Sequence, residues 1–172
     1  MFSRRRFLGA CGGLGAAALV IGVLPKFAAS AAGVNAASAT EVFEVSHSDS
    51  EWRAMLSAEQ YEILREEGTE RAYSSPLNNE HRDGIFGCAG CDLPLFSSAT
   101  KFDSRTGWPS FWAPLDKAVA TRQDRSFGVL REEVHCRRCG GHLGHVFDDG
   151  PKPTGLRYCM NGLALTFKPQ VA

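Results

Sequence analysis

The residues most able to carry chemistry in this sequence are its cysteines. Six occur among 172 residues, and four of them form two Cys-x-x-Cys pairs. These four are Cys88, Cys91, Cys136 and Cys139. Two such pairs can present four thiolates tetrahedrally to one Zn²⁺ ion, and four thiolates leave no open position for substrate or water. The pattern therefore predicts a single structural zinc ion.

The residues around the pairs bear on this interpretation. A short residue or glycine follows each pair, Asp92 in one case and Gly140-Gly141 in the other. The pairs are further apart than in a compact zinc ribbon, so we expect a sheet between them whose ends the metal joins. Two disulfide bonds are the alternative, because an oxidising compartment would permit them. A thioredoxin-like redox role is disfavoured, since no βαβ pattern surrounds either pair.

One cysteine, Cys159, remains when the zinc ligands and Cys11, which lies in an N-terminal leader, are set aside. On a β-strand alternate residues share a face, so Arg157, Cys159 and Asn161 would lie together. The guanidinium would lower the pKa of the thiol, and the amide could hold the thiolate by hydrogen bonding. We interpret Cys159 as a nucleophile. The alternative is a buried cysteine that acts as a small apolar residue.

Two histidines, His142 and His145, are close in sequence to Asp148 and Asp149. They could be metal ligands, acid–base groups or surface residues. Because four thiolates are already available for a metal, we favour acid–base chemistry. One aspartate would then fix the tautomer and orientation of a histidine.

Aromatic residues surround Trp108 in the run Gly107-Trp108-Pro109-Ser110-Phe111-Trp112. Aromatic side chains at this density usually pack in a core. They could also form an apolar cradle for a methyl group next to sulfur, which favours aromatic contact.

The elements that must position these residues are one helix and many short strands. A capping box over residues 57–60 predicts a helix to Glu67, ended by Gly68, with Tyr61 and Leu64 facing the core. From Gly84 onward, short apolar or alternating runs separated by Gly, Pro and Asp predict β structure. The predicted strands are residues 85–86, 95–96, 108–112, 118–120, 127–130, 133–135, 145–147 and 156–167.

The first 31 residues have the form of a twin-arginine signal peptide. Ser3-Arg4-Arg5-Arg6-Phe7-Leu8 precedes a glycine-diluted apolar run, and Ala-x-Ala stretches follow it. An uncleaved membrane anchor is the alternative, but it needs about 20 strongly apolar residues. A lipoprotein signal is disfavoured because Cys11 would start the apolar run instead of ending it. We therefore predict export by the twin-arginine route to a periplasmic or secreted location.

Two further segments follow the leader. Residues 32–48 are rich in Ala, Ser, Thr and Val without periodicity and are predicted to be a flexible tether, and residues 49–172 one folded domain. All 19 acidic residues, but only 15 of the 19 basic ones, lie after residue 31. A net charge of about −4 argues against binding to nucleic acid or to anionic membranes.

Together these motifs resemble the B-type methionine sulfoxide reductases, which are specific for the R epimer. The similar stretches are Cys88–Phe96, Lys101–Ser104, Gly107–Phe111, Cys136–Cys139, His142–Pro151, Arg157–Asn161 and the helix segment 56–71. The resemblance extends from about residue 50 to 168. It implies a mainly β fold of two small antiparallel sheets with a short N-terminal helix, stapled by the four-cysteine zinc site away from the catalytic face.

The resemblance also implies roles for the candidate residues. Cys159 would attack the sulfoxide sulfur and become a sulfenic acid while methionine leaves. His142 and His145 would protonate the sulfoxide oxygen, directly or through a bound water. Asp148 or Asp149 would orient a histidine.

Four other residues would shape the site. Arg157 would favour the thiolate, and Asn161 would help to fix the site. Trp108 would hold the methyl group of the substrate, and Phe147 would form a wall of the pocket.

The sequence departs from many relatives at the recycling cysteine. That residue precedes the Gly-Trp-Pro-Ser-Phe motif, where this chain has Ser104-Arg105-Thr106. We therefore predict that an external thiol, from a thioredoxin-like protein or another reductant, reduces the sulfenic acid. The expected substrates are proteins or peptides that contain methionine sulfoxide, and the expected state is a monomer.

Two other functions would suit parts of this pattern. A zinc-stapled β module that binds proteins, like a chaperone, would have no need of Cys159 with its polar neighbours. A thiol peroxidase would also pass through a sulfenic acid, but the aromatic cradle would have no purpose in it.

Overall fold

The structure, a computed structural model, describes residues 41–171. Two helices, α1 at Asp49–Met55 and α2 at Ala58–Glu66, precede the strands. The strands are β1 at Gly84–Cys88, β2 at Pro94–Ser97, β3 at Lys101–Phe102, β4 at Ser110–Phe111, β5 at Val119–Asp124, β6 at Arg131–Cys136, β7 at His142–Phe147, β8 at Arg157–Met160 and β9 at Leu165–Pro169. The predicted signal peptide and residues 32–40 of the predicted tether lie outside the described residues.

The strands pair antiparallel in two sheets, as expected. The smaller sheet has the order β2-β1-β9, and the larger has the order β3-β4-β8-β7-β6-β5. The predicted strand at residues 127–130 is wrong, because the chain reverses there between β5 and β6. Asp124 pairs with Arg131 across this turn, and residues 126–128 form a 3-10 helix. Val129 and Leu130 are therefore exposed.

Helix α2 confirms the predicted capping box. Ser57 is the N-cap, and Tyr61 and Leu64 are buried as expected. The helix ends at Glu66, one residue before the predicted end at Glu67, and Glu67 instead of Gly68 is the C-cap, in the left-handed conformation with φ of 57°.

Helix α1 is an element that the sequence analysis missed. Ser48 caps it and forms a capping box with Glu51. Seven residues are too few for a helical period to be recognised, and an isolated helix of this length is unstable. The burial of Trp52, whose ring lies 4.9 Å from the Arg65 guanidinium of α2, stabilises it. None of the helices within residues 41–171 is long and apolar enough to span a membrane.

An aromatic cluster joins the two sheets. Phe86 and Phe96 lie on the smaller sheet and Phe111 on the larger, and all three are fully buried. The ring centroid of Phe111 is 4.4 Å from that of Phe96 and 5.0 Å from that of Phe86. Burial of each ring stabilises the fold by about 1.5–3 kcal/mol. Part of the aromatic run around Trp108 therefore belongs to the core.

Residues 41–48, the described part of the predicted tether, contact the folded domain. The Val45 N–H donates a hydrogen bond of 3.0 Å to the Arg138 carbonyl. The Phe43 ring meets His135 edge-on at 6.0 Å. This segment therefore runs beside the second cysteine pair before α1 begins.

Candidate active site and metal centre

The four paired cysteines meet at one point. Their Sγ atoms all lie within 4.8 Å of one another, with 3.7 Å between Cys88 and Cys139 and 3.5 Å between Cys91 and Cys136. Tetrahedral zinc with Zn–S bonds of about 2.3 Å needs sulfur atoms about 3.8 Å apart, whereas a disulfide needs about 2.05 Å. The donor set therefore fits one structural zinc ion, and the disulfide alternative is wrong for this structure.

Both cysteine pairs lie in equivalent turns. The N–H of Asp92 donates to the Cys88 carbonyl, and the N–H of Gly140 donates to the Cys136 carbonyl, each at 2.8 Å. Asp92 and Gly140 adopt left-handed conformations with φ of 59° and 68°. Glycine reaches this region without strain and aspartate tolerates it, which accounts for the residue types that follow each pair.

The metal centre joins the two sheets, and the expectation that it joins the ends of one sheet is wrong. Cys88 ends β1 of the smaller sheet, and Cys136 ends β6 of the larger. Arg131, at the other end of β6, borders the cavity at Cys159. Five residues of extended strand span about 17 Å, so the zinc ligands are remote from that cavity.

Cys159 borders a cavity of about 130 Å³ on the larger sheet. The residues that line it are Thr69, Trp108, Arg131, Gly144, His145, Phe147, Cys159 and Asn161. Strands β7 and β8 approach closely here because Gly144 has no side chain, and a Cβ atom there would clash with the Cys159 carbonyl. Of the predicted site residues, four thus lie beside Cys159, and His142 and Arg157 are not part of the lining.

The electrostatic setting of Cys159 differs from the expectation. Burial raises the pKa of the thiol, and this outweighs the Thr106 hydrogen bond and the Arg157 charge, which lower it. Arg157 therefore lowers the thiol pKa as predicted, but burial has the larger effect and the net pKa is raised. Arg157 also donates two hydrogen bonds, of 2.8 and 2.9 Å, to the Asp149 carboxylate, which offsets part of its charge.

Each histidine contacts a carboxylate from another strand of the larger sheet. His145 Nε2 lies 2.8 Å from Asp124 Oδ2, and His142 Nδ1 lies 2.7 Å from Glu133 Oε1. The second contact is possible because Glu133 lies on β6, which pairs with β7, and the register between these strands shifts between Val134 and His135. Asp124 and Glu133 are residues that the sequence analysis missed.

The prediction that Asp148 or Asp149 orients a histidine is contradicted by these contacts. Strand β7 ends at Phe147, and Asp148 beyond it is exposed. Asp149 binds Arg157 instead. His145 contacts Asp124 instead.

The ionisation of these groups follows from their contacts. Hydrogen bonds from Ser126, His145 and Arg131 hold the pKa of Asp124 far below its usual range. Burial lowers the pKa of His145, and Asp124 only partly opposes this effect. At neutral pH the histidine is therefore mainly neutral. Because Asp124 accepts the proton on Nε2, Nδ1 is the position that can take up and release a second proton.

A small space of about 50 Å³ lies between the histidines. The two ring centroids are 5.4 Å apart. His142 Nε2 is buried and has no hydrogen-bond partner among the described residues. A polar space of this size can hold a water, which fits the expected water-assisted proton delivery.

Glu70, in the segment after helix α2, organises the site. Its buried carboxylate accepts hydrogen bonds from the N–H groups of Gly162 and Leu163 at 2.6 and 2.9 Å. Its own N–H donates to Asn161 Oδ1 at 3.0 Å, and its carbonyl accepts from Trp108 Nε1 at 3.1 Å. One residue thus fixes two others that line the cavity. No local sequence signal marks it.

Asn161 acts on the backbone more than on the thiol. Strand β8 ends at Met160, and Asn161 lies just beyond it. Besides its contact with Glu70, its amide nitrogen donates to the Leu143 carbonyl at 3.3 Å. The side chain therefore joins β7 to the loop that carries Glu70, in line with a role in fixing the site.

The fold and the site together define a class of protein. Two antiparallel sheets are joined by a four-cysteine zinc site, and a further cysteine borders a small cavity. A family model described as "SelR domain" matches residues 56–169. The chain belongs to this family.

The relatives in this family are similar over most of their length. A peptide methionine sulfoxide reductase MsrB of Pseudomonas putida (strain W619) is 57% identical over 121 residues, which cover 70% of this chain and 91% of the relative. The protein of the same name from Agrobacterium fabrum is 53% identical over 73% of this chain and 94% of its own length. That from Leptospira interrogans is 50% identical over 74% and 98%.

Proposed function

We propose that this protein reduces methionine-R-sulfoxide to methionine, with Cys159 as the nucleophile. The observation that carries the proposal is the cavity that Cys159 shares with Trp108, Phe147 and His145. The names of the relatives support the same reaction. A nucleophile, an apolar wall and an acid–base group thus meet at one space.

In the first step the sulfur of Cys159 attacks the sulfur of the substrate. Oxygen passes from the sulfoxide to the cysteine, so that a thiol and a sulfoxide become a sulfenic acid and a thioether, with two electrons transferred. The sulfoxide oxygen is a poor leaving group unless it gains a proton. His145, oriented by Asp124, supplies that proton from Nδ1.

The apolar walls hold the rest of the reacting group. Trp108 and Phe147 border the cavity, and aromatic rings suit a methyl group attached to sulfur. A space of about 130 Å³ is smaller than the usual pocket of 300–1,000 Å³ for a whole small molecule. This size favours a substrate whose side chain alone enters, namely methionine sulfoxide within a peptide or protein.

The sulfenic acid is then reduced by an external thiol. The other four described cysteines form the metal centre, and Thr106 lies beside Cys159 where a recycling cysteine would be needed. An external thiol forms a mixed disulfide with Cys159 and releases water, and a second thiol resolves it. A thioredoxin-like protein has the chemistry for both steps.

The sequence pattern of the leader supports a periplasmic or secreted location, reached by the twin-arginine route, where the protein would repair envelope proteins. Replacing Arg4 and Arg5 by lysine should leave the precursor in the cytoplasm, and cell fractionation would show this. Equal export of the variant and the parent would contradict the route.

The reaction is tested by turnover of the separate R and S epimers of a methionine sulfoxide peptide with dithiothreitol as reductant. We expect reduction of the R epimer alone, and its loss in Cys159→Ser. Zinc content and circular dichroism establish that the variant is folded. No turnover by a folded, zinc-loaded protein would contradict the proposal and favour a binding module.

A further inference from the structure

Three hydroxyl groups form a chain that ends at the Cys159 sulfur. Thr106 Oγ1 lies 3.9 Å from Cys159 Sγ, within the range of hydrogen bonds to sulfur. Ser104 Oγ lies 2.8 Å from Thr106 Oγ1 and 2.7 Å from Ser110 Oγ. Ser110 Oγ is also 3.1 Å from the Trp108 carbonyl. Four contacts thus connect the sulfur to a carbonyl oxygen, and the Ser110 hydroxyl is also a direct hydrogen-bond partner of the Cys159 thiol.

The number of protons in this chain determines in which direction its hydrogen bonds are donated. Each hydroxyl has one proton to donate, and the carbonyl of Trp108 can only accept. When Cys159 is a thiol, four protons serve four contacts. The direction is then Cys159 to Thr106, Thr106 to Ser104, Ser104 to Ser110 and Ser110 to the carbonyl.

A thiolate changes the direction at Thr106. The sulfur now only accepts, and three protons remain for four contacts, so one contact in the chain is given up. Thr106 turns its proton to the sulfur, and Ser104 can then donate to Thr106. The thiol proton goes to a base in solvent, and the three hydroxyls keep their protons and only rotate.

The loop that carries Thr106 is held in place for this contact. The Tyr73 hydroxyl donates to the Arg105 carbonyl at 2.7 Å. The Gly107 carbonyl accepts from the Tyr73 N–H at 2.7 Å and from the Asn78 amide at 3.0 Å. These hydrogen bonds on both sides of Thr106 fix the loop in the folded protein. The conformational entropy of Thr106 is therefore lost on folding and not during the reaction, so the donor is preorganised.

We propose that Thr106 is a catalytic hydrogen-bond donor to Cys159, and that Ser104 is a positioning residue whose hydroxyl donates to Thr106 when the thiol is ionised. This inference rests on the proposed role of Cys159 as nucleophile. The Thr106 hydrogen bond is also the largest influence that lowers the pKa of Cys159 against the effect of burial. The position that many relatives use for a recycling cysteine thus serves here to stabilise the thiolate.

The other groups around the thiol are unchanged by a substitution at Thr106. The titratable or charged side chains are Arg131 of β6 and His145 of β7, which line the same cavity, and Arg157 of β8. A change in thiol ionisation in a Thr106 variant can therefore be assigned to the hydroxyl.

The test is the pH dependence of Cys159 alkylation by iodoacetamide in zinc-loaded protein, followed by mass spectrometry of the peptide that contains Cys159. Thr106→Val keeps the shape and removes the hydroxyl. Loss of a hydrogen bond to a charged group should raise the apparent pKa by roughly one unit and slow alkylation at pH 7.5 about tenfold. Thr106→Ser should restore the parent profile, and Ser104→Ala should slow alkylation about threefold.

Identical pH profiles for the parent and Thr106→Val would overturn the inference. If Thr106→Val does not fold, an unchanged profile in Ser104→Ala would do so. Alkylation needs no turnover, so this result is independent of sulfoxide reduction. A shifted pKa in a protein that reduces neither epimer would contradict the proposed reaction and leave the hydroxyl chain supported.

Discussion

Replacing Asp124 by asparagine removes the negative charge that contacts His145 and keeps an oxygen that can still accept the Ser126 N–H, which lies 2.7 Å away. The His145 and Asp124 side chains are only 12% and 14% exposed, so solvent screens their contact weakly. A hydrogen bond between charged groups contributes about 1.5–3 kcal/mol. Because Arg131 also binds Asp124 at 2.7 Å, we take the lower part of this range. At 1.36 kcal/mol per tenfold, kcat/KM should fall roughly 10- to 30-fold.

The pH profile gives a second reading of the same variant. The acid His145 has a pKa below its ordinary 6.5 and the thiol Cys159 has one above its ordinary 9.0. The proposed reaction needs a protonated His145 and a Cys159 thiolate at the same time. We therefore expect a bell-shaped dependence of kcat/KM on pH. The acidic limb follows His145, and the alkaline limb follows Cys159. Asp124 raises the pKa of His145, so Asp124→Asn should move the acidic limb to lower pH.

The assay is reduction of the R-sulfoxide peptide from pH 5 to 10, with Asp148→Asn as the matched control. Asp148 is exposed beyond the end of β7, and its variant should stay within about twofold of the parent. A larger loss in Asp148→Asn than in Asp124→Asn would refute the assignment from the structure. An unmoved acidic limb in Asp124→Asn would show that His145 is not the titrating acid.

Three further changes test other parts of the structure. Thr106→Cys places a thiol beside Cys159, so one turnover with R-sulfoxide and no reductant should leave a disulfide between these residues, visible as the loss of both free thiols; a persistent sulfenic acid would contradict the geometry. Glu70→Gln removes the charge that binds two buried N–H groups. We expect the free energy of unfolding in urea to fall by about 1–3 kcal/mol and kcat/KM to fall as well. Unchanged values would contradict the role of Glu70 in fixing the site. Cys139→Ser leaves three thiolates for the metal and should abolish zinc binding and cooperative unfolding, while a folded, active variant would contradict a structural role.

The free energy of unfolding should fall in acid because of the shifted pKa values of Asp124 and His145. The pKa of Asp124 is depressed, so its contribution is present above about pH 4 and lost as the pH falls further. His145 has a lowered pKa in the folded state, so the unfolded chain binds its proton first and stability declines below about pH 6.5. Urea unfolding at pH 7, 6 and 5 should show this decline in the parent and a smaller one in His145→Gln. Equal declines in the two proteins would contradict the lowered pKa of His145.

The sequence by itself determined the parts of this protein that depend on residue type and short spacing. The four zinc ligands could be recognised because a Cys-x-x-Cys turn is local, and two such turns can present four thiolates to one zinc ion. Cys159 was found by elimination, and Trp108, His145, Phe147 and Asn161 were named from motifs within a few residues of one another. The β class followed from short alternating runs, and the resemblance to a known family implied antiparallel pairing.

Only the tertiary structure decided which groups meet across strands. Asp124 and Glu133 reach the histidines because of the register of β5, β6 and β7, whereas proximity in sequence pointed to Asp148. The net pKa shift of Cys159 was also beyond the sequence, because burial depends on how the sheets pack. Contacts between side chains on paired strands depend on the register of strands that are distant in sequence. The residues next to each other in the sequence do not determine that register.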